Sequence, residues 1–306
     1  YRIILRGVYM DFRQLETFVE VAKLKSFSKA AEKLFITQPT VTNHIQNLEK
    51  ELGTLLINRL GKTITLTYAG NLLYTYAINI LNTCDKARFE LATYKGKIQG
   101  HIHIYSSSVP RNFLLPKIIK SFLTIYPDVT FTIGHRDSKK VIKSILDGET
   151  DFGILGAKYS SNNIKYLDLM DDELVLITPN TDEFPDDNFS FIDKEILYKE
   201  RFIFREEGSG TRALVEEVLQ KSKVQLDKVN IVSYVEDANT LIELVSLGIG
   251  LSFISKRAIK SDLEIGKYKA FYIKDLSFTR KFYFAYHKNR QLSPLNEKFR
   301  DFMLKN

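Results

Sequence analysis

Apolar residues recur every three to four positions at Leu15, Phe18, Val19 and Ala22, a spacing that predicts an amphipathic helix from about Phe12. The turn Ser26-Phe27-Ser28 ends it and offers Ser28 as the N-cap of a second helix, Lys29–Leu34. Ala30 and Ala31 let two helices approach closely, and Phe35-Ile36 are expected to close the apolar face. Thr37 then caps a third helix whose buried stripe is Val41, Ile45, Leu48 and Leu52, with Pro39 in the first turn, where a missing N–H costs nothing, and Gly53 as its stop. Leu55-Leu56-Ile57 and Ile64-Thr65-Leu66 read as two short strands around the basic loop Asn58–Lys62. Three helices followed by a β-wing make a winged helix-turn-helix over residues 10–68.

Thr67 caps the next helix, in which Leu73, Ala77, Ile80, Cys84, Ala87, Leu91 and Tyr94 advance by four and three in alternation. Two apolar positions per heptad form a narrow seam of the kind that pairs helices, so 69–97 is expected to be a linker dimerisation helix; packing of the same seam on the chain's own globular unit is the competing reading. After Gln99-Gly100 the pattern turns to alternating strand and helix: strands at His101–Tyr105, Val129–Gly134 and Asp151–Leu155, with helices at Pro110–Leu123 and Lys139–Leu146. Ile164–Leu169 and Glu173–Thr178 lead into a second set, with strands Phe202–Arg205, Asn230–Val235 and Leu251–Ile254 and helices Thr211–Lys221 and Ala238–Leu247. Tyr268–Ile273, Lys281–Tyr286 and the helix Pro294–Met303 bring the chain back. The expected fold is therefore α/β, two doubly wound lobes behind an N-terminal winged helix-turn-helix. Lobe one takes about 98–171 and 276–306, lobe two about 172–275, and the effector-binding domain they form, 98–306, has a cleft between them.

Gln38, Thr40, Thr42, Asn43 and Gln46 face outward at the start of the third helix beside Pro39, and short polar donors and acceptors there suit base edges in a major groove. Arg59 and Lys62 in the wing would contact phosphates. A dimer would space two such helices for an inverted-repeat operator in double-stranded DNA. In the α/β half, Ser106, Ser107 and Ser108 lie between the first strand and helix, where hydroxyls and backbone N–H groups converge. Gly208-Ser209-Gly210-Thr211-Arg212 occupies the equivalent place in lobe two, with Ser209, Gly210, Thr211 and Arg212 as donors. Donors without an opposing lysine or carboxylate favour a small anion. Gly156 and Asn239 are secondary contacts, and Arg205 and Glu206 are expected to pair or stay solvated. Helix capping alone accounts for any one of these residues, and their paired placement is what points to a ligand.

Gly208-Ser-Gly-Thr-Arg-Ala213 also fits G-x-G-x-x-A, which would make an NAD-dependent oxidoreductase. That fingerprint belongs in the first strand-helix unit and here falls in the second lobe. The five histidines are scattered, no nucleophile, base and orienting group occur together, and His101-x-His103 lacks a third metal ligand, so neither catalysis nor a metal or other cofactor is expected. The 306 residues exceed one core, and 44% hydrophobic with 12% aromatic content supports packed domains. The net charge of +7 is unevenly placed, with −6 over 172–275 and +5 over 276–306, and favours a polyanionic partner. A single cysteine, Cys84, excludes an intrachain disulfide and fits a reducing cytoplasm, and no apolar run approaches the roughly 20 residues a membrane helix needs. The pattern begins at Met10, the expected start, and Tyr1–Tyr9 is assigned no function.

Leu15-x-x-Phe18, Ser26-Phe-Ser-Lys-Ala-Ala31, Gln38-Pro-Thr-Val-Thr42, Leu48-Glu-Lys-Glu-Leu-Gly53, Arg59 and Leu66-Thr-Tyr-Ala-Gly70 together resemble the N-terminal domain of LysR-type transcriptional regulators. Asn43 stands where the family often has arginine, and His44 where it often has glutamine; Asn43 suits a bidentate contact to adenine. Leu115-Pro116, Asp151–Leu155 and Leu247–Ile254 are similar to the family's sensor domain, which resembles type 2 periplasmic binding proteins. The resemblance implies a cytoplasmic DNA-binding transcriptional regulator, not an enzyme. It further implies a homodimer that assembles into a homotetramer, RNA polymerase as a further partner, and a small coinducer between the lobes. The Gly-Ser-Gly-Thr-Arg string is similar to that of regulators of sulfur assimilation, which implies a sulfur oxyanion or a related small carboxylate.

Overall fold

The computed structural model describes residues 10–58, 64–94 and 98–305. They form two compact units, one holding the residues up to 98 with 146–151 and 287–298, the other 99–145, 152–286 and the residues from 299.

In the first unit α1 (Phe12–Leu24) starts at Asp11, whose carboxylate accepts from the Arg13 amide at 2.9 Å. Helix α2 (Phe27–Leu34) is capped by Ser26, not Ser28: Ser26 is in the extended conformation and its Oγ accepts from the Lys29 amide at 3.2 Å, which leaves Ser28 inside the first turn. Phe35 does not close the apolar face. It is the left-handed C-cap of α2 (φ 55°), and its ring is 95% exposed, while Ile36 packs on the core. Helix α3 (Gln38–Leu52) is capped by Thr37, which accepts from the Thr40 amide, and stops at Gly53 with φ 66°, a conformation glycine adopts without a Cβ clash. Val41, Ile45 and Leu48 are buried against Phe18, Val21 and Ala30, so one side of α3 is committed to the core.

The wing strands are shorter than the sequence predicts: β1 is Ile57–Asn58 and β2 is Thr65–Leu66, paired antiparallel. Leu55 is exposed because the strand begins only after the Leu56 and Ile57 amides have been taken by Glu49 Oε1, at 2.8 and 3.2 Å. Gly70 admits no side chain, since a Cβ would lie 2.0 Å from the Leu56 carbonyl oxygen. It sits in the first turn of α4 (Tyr68–Tyr94), where the Thr67 hydroxyl accepts from its amide at 2.9 Å. The seam predicted along α4 divides. Leu73, Ala77 and Ile80 pack, with Tyr74 and Ile78, on the core of this same unit, whereas Ala87 and Leu91 are exposed.

The second unit runs β3 (Gly100–Ser106), a π-helical turn at Pro110–Leu114, α5 (Leu115–Ile125), β4 (Val129–His135), α6 (Ser138–Leu146), β5 (Phe152–Leu155) and β6 (Ile164–Pro179). It continues through β7 (Phe191–Ile192), α7 (Ile196–Lys199), β8 (Arg201–Arg205), α8 (Gly210–Lys221), β9 (Asn230–Val235), α9 (Ala238–Ser246), β10 (Ser252–Ser255), α10 (Lys260–Glu264), β11 (Tyr268–Ile273), β12 (Thr279–His287) and α11 (Pro294–Met303). Strand β3 lies between β4 and β5, parallel to both, and β12 is antiparallel to β5. Strand β6 is one strand of 16 residues where the sequence suggests two, because Asp172 in its middle is buried against Arg280 and does not break the chain. It carries β10 and β11 antiparallel at its far end. The parallel pair β8 and β9 is bridged to Leu251 by Phe202. Thus β6 joins the lobes, with β12 beside it on the first-lobe side and β10 and β11 at its far end. Phe122 packs edge-on to Phe299 at 5.1 Å in the first lobe, and Phe202 stacks on Phe253 at 6.1 Å in the second.

Candidate functional site

Two places concentrate polar chemistry on rigid elements. On α3, Gln38, Pro39, Asn43 and Gln46 are exposed, and Thr40 and Thr42 are half-buried. Gln38 Nε2 donates to Thr42 Oγ1 at 2.9 Å, and the Thr37 and Thr40 hydroxyls share a hydrogen bond of 2.8 Å, so the N-terminal turn presents an ordered polar edge. His44 is turned the other way: its Nδ1 meets the buried Thr17 hydroxyl at 2.8 Å and ties α3 to α1. Glu49 on the same helix fixes the wing's first strand through its two amide contacts. Arg59 and Lys62 lie outside the described residues.

The other place is in the second unit, where the ends of β3 and β8 face one another. Ser107, Ser108, Ser209, Gly210 and Thr211 meet around a small cavity of about 20 Å³, which Asp137, Ser138, Arg205, Glu206 and Arg280 complete. The remaining predicted residues fall elsewhere. Ser106 is buried with its hydroxyl on the Ser107 carbonyl oxygen at 3.1 Å. Gly156 lies behind the loop, and a Cβ on Gly210 would stand 3.0 Å from the Gly156 carbonyl carbon. Arg212 turns outward to Glu216 (2.7 Å) and lies over the Tyr234 ring, and Asn239 is exposed outside the cavity lining.

The expectation of donors unopposed by carboxylates is corrected. Asp137 and Glu206 line the cavity, and Asp172 stands behind it. Arg205 is buried. Its Nε and Nη2 grip Glu206 in a two-pronged ion pair at 2.9 and 3.0 Å, while Nε also donates to the Val235 carbonyl oxygen, and Nη2 to the Glu236 carbonyl oxygen and Ser108 Oγ. Arg280 on β12 pairs through Nε with the buried Asp172 at 2.8 Å and donates from Nη1 to Thr211 Oγ1 at 3.2 Å. Burial pushes the Glu206 carboxyl up, against the pull of Arg205, and burial with the Arg111 and Arg205 charges holds His135 down. Ser108 Oγ also meets His135 Nε2 at 3.0 Å. Ser138, at the start of α6, is fully buried, and its hydroxyl has no hydrogen-bond partner among the described residues. Such a group can take a bond from ordered water as readily as from a ligand.

Arg280, Asp137 and Ser138 were not found from the sequence. Ser138 carries no distinguishing motif, and Arg280 is 69 residues from Thr211, on a strand whose alternation reads as ordinary β-structure. A wider groove of about 1270 Å³ shares Arg280, but its charges neutralise one another, Lys256 with Glu173 and Lys281 with Asp171, each at 3.8 Å. The Gly208–Ala213 turn leaves no room for a dinucleotide pyrophosphate. Gly208 (φ +88°) packs on Asp137, Gly210 packs on Gly156, and the Tyr159 hydroxyl donates to the Gly208 carbonyl oxygen at 3.0 Å. Among the described residues no helix is long and apolar enough to cross a membrane.

A helix-turn-helix with a polar recognition edge, a long helix, and a two-lobed α/β domain of the type 2 periplasmic-binding-protein kind define a ligand-responsive DNA-binding regulator. Residues 12–71 match the model of the bacterial regulatory helix-turn-helix protein, lysR family, and residues 95–306 that of the LysR substrate binding domain. The chain belongs to the LysR family of transcriptional regulators. It is 33% identical to an uncharacterized HTH-type transcriptional regulator of Methanocaldococcus jannaschii, over 95% of this chain and 97% of that one. It is 29% identical to the HTH-type transcriptional regulator CysL of Bacillus subtilis, over 89% of each. Among solved structures it is similar in fold to a full-length OxyR variant from Pseudomonas aeruginosa (TM-score 0.74, 20% identity, 97% of each chain). Full-length CbnR complexed with its target DNA (TM-score 0.56, 22% identity) covers 96% of this chain and 99% of its own. The effector binding domain of QuiR in complex with shikimate (TM-score 0.61, 23% identity) covers 68% of this chain and 97% of its own.

Proposed function

We propose that this regulator reads an inverted-repeat operator with the α3 edge of Gln38, Pro39, Thr40, Thr42, Asn43 and Gln46, aided by Arg59 and Lys62 in the wing. The DNA-binding unit is 10–68, 69–97 pairs the chains, and 98–306 holds the effector. It acts in the cytoplasm as a homodimer that assembles into a homotetramer. The observation that carries the reading is the division of α3 into a core side of Val41, Ile45 and Leu48 and an exposed polar side headed by Asn43. The CbnR structure with target DNA supports it by likeness of fold.

The effector is a small anion, a sulfur oxyanion or a small carboxylate, held by Ser107, Ser108, Ser138 and Thr211 beside Arg205 and Arg280. Two buried guanidiniums and the hydroxyls of Ser107, Ser108, Ser138, Ser209 and Thr211 around one cavity support that class. Binding changes the angle between lobes, which reorients the linker helices and so alters the spacing of recognition helices on bent DNA. Asn43→Ala is expected to relax base choice at one operator position, at a cost of about 1–3 kcal/mol there, with affinity for other positions kept. Selection of binding sites from a random DNA pool measures this, and an unchanged preference at every position would remove Asn43 from base reading. A melting-temperature screen of sulfite, sulfate, phosphate and small carboxylates tests the effector class, since a ligand that binds only the folded form raises the transition.

A further inference from the structure

We propose that Glu206 is a built-in occupant of the effector site, a carboxylate that an anionic effector must displace from the Arg205 guanidinium in order to bind. The inference rests on the small-anion reading of this cavity and adds how the site is regulated.

Space makes the first argument. A cavity of about 20 Å³ holds a single water, not a tetrahedral oxyanion or a second carboxylate. An anion needs more room than this, from a change in the lobe angle or from a side chain that turns aside, and a carboxylate that turns aside also frees anion-binding donors. Three carboxylates stand near. Asp137 accepts from the Lys140 amide at 2.8 Å, caps α6 and pairs with Lys140 Nζ at 2.9 Å. Asp172 is fully buried and is held by Arg280 and by the Ser255 hydroxyl. Among the described residues Arg205 is the one side chain that holds Glu206, which keeps 13% of its own side chain exposed and so can turn aside.

What Glu206 would leave behind is already organised. Arg205 stays fixed by the Val235 and Glu236 carbonyl oxygens, at 3.1 and 2.8 Å, and by Ser108 Oγ. The same two N–H groups that now grip Glu206 would then face the cavity that the unpartnered Ser138 hydroxyl lines. A planar fork takes a carboxylate or two oxygens of an oxyanion in the same way, so the exchange is like for like. It is intramolecular, between residues adjacent in the chain, and it sets a threshold: only an anion that binds Arg205 better than Glu206 does will open the site.

The exchange has a pH signature. The groups that face Glu206 are Arg205 on β8, Asp137 and Lys140 at the start of α6, and Tyr159 beyond β5, with Arg280 across the cavity. Burial already holds its carboxyl above the usual range. Turned aside but still within the site, the displaced carboxyl loses the Arg205 charge that lowers it and gains the like charge of the anion beside Asp137, so it rises further and binding takes up a proton. Affinity should therefore be higher at acid pH and fall as pH rises through the carboxyl's raised range. His135, close to Arg205 through Ser108, titrates nearby, and it is unchanged in a Glu206 variant.

Sulfate is the probe, because it remains a dianion from pH 5.5 to 8, and calorimetric titration of the full chain against matched chloride is the measurement. The wild type is expected to bind sulfate more tightly at pH 5.5 than at pH 8. Glu206→Gln should bind at pH 8 at least tenfold more tightly than the wild type, with most of the pH slope gone. In chloride its melting temperature should be lower than the wild type's, and sulfate should restore it. Arg205→Met in the Glu206→Gln background should return the affinity to the wild-type level or below, which locates the anion. Equal sulfate binding by wild type and Glu206→Gln, or a wild-type affinity flat with pH, would overturn the exchange while leaving an anion site in place. If neither protein binds sulfate and the melting temperature of Glu206→Gln does not respond to it, the small-anion reading falls as well.

Discussion

Arg280→Ala is expected to destabilise the second unit by about 3–5 kcal/mol, the cost of leaving one partner of a buried ion pair uncompensated. Asp172 has no side-chain exposure, and Arg280 has only 7%. The aspartate keeps the Ser255 hydroxyl, which cannot balance a full charge. The effect reaches the cavity as well, because Arg280, on the first-lobe strand β12 beside β6, donates to Thr211 of the second lobe. The pair thus sits where one lobe turns against the other, and its loss should remove the anion response together with stability. Urea unfolding of the full chain followed by circular dichroism measures the first part. The double variant Arg280→Ala with Asp172→Asn should recover a substantial part of the loss, since no buried charge is then left alone. A loss below about 1 kcal/mol for Arg280→Ala would mean that Asp172 is solvated in the folded chain, against the geometry described.

Glu49→Ala should cost the winged unit about 2–6 kcal/mol, at roughly 1–3 kcal/mol for each of two buried amides left without an acceptor. Both amides belong to the chain entering the wing, Leu56 and Ile57, and both bonds come from the helix that carries the polar edge. Stability and DNA affinity should therefore fall together, because the wing is no longer fixed relative to α3. Glu49→Gln keeps an acceptor at the same place and should recover most of both. Thermal unfolding and DNA retention in gels give the two readouts. If Glu49→Ala lowers neither, the wing is positioned by Leu56 packing alone.

The DNA-binding fold was legible because its signals are local. Thr37 capping its own helix, Gly53 stopping it and the Val41, Ile45, Leu48 stripe each act within one turn or two. Errors of one or two residues arose where two candidates compete at close range. Ser26 and Ser28 are equally good caps in sequence, and only the extended backbone at Ser26 separates them. Phe35 reads as core by its chemistry, yet a left-handed C-cap turns its ring to solvent. The α4 seam is regular along its whole length, but periodicity does not say which part packs on the same chain, and here that part is Leu73 to Ile80. The cavity was half legible. Ser107, Ser108 and the Ser209–Thr211 turn follow from strand-to-helix junctions, which place backbone and hydroxyl donors at predictable offsets. Its charges were not legible, since Arg280 and Asp172 meet across 108 positions and nothing local marks either. Glu206 is expected from sequence to pair with Arg205 or stay solvated, and nothing there singles out Asp137; both become groups opposing an anion only where β8 and α6 converge.

The account as a whole stands on the exposed edge of α3 entering a major groove while its other side stays in the core. Selection from a random double-stranded DNA pool by the full chain, at physiological salt and with and without sulfate, measures it most directly. The expected product is an inverted repeat whose half-sites lie about one helical turn, or a multiple of it, apart, with an adenine preference that Asn43→Ala weakens. Recovery of no enriched sequence in either condition would contradict the account.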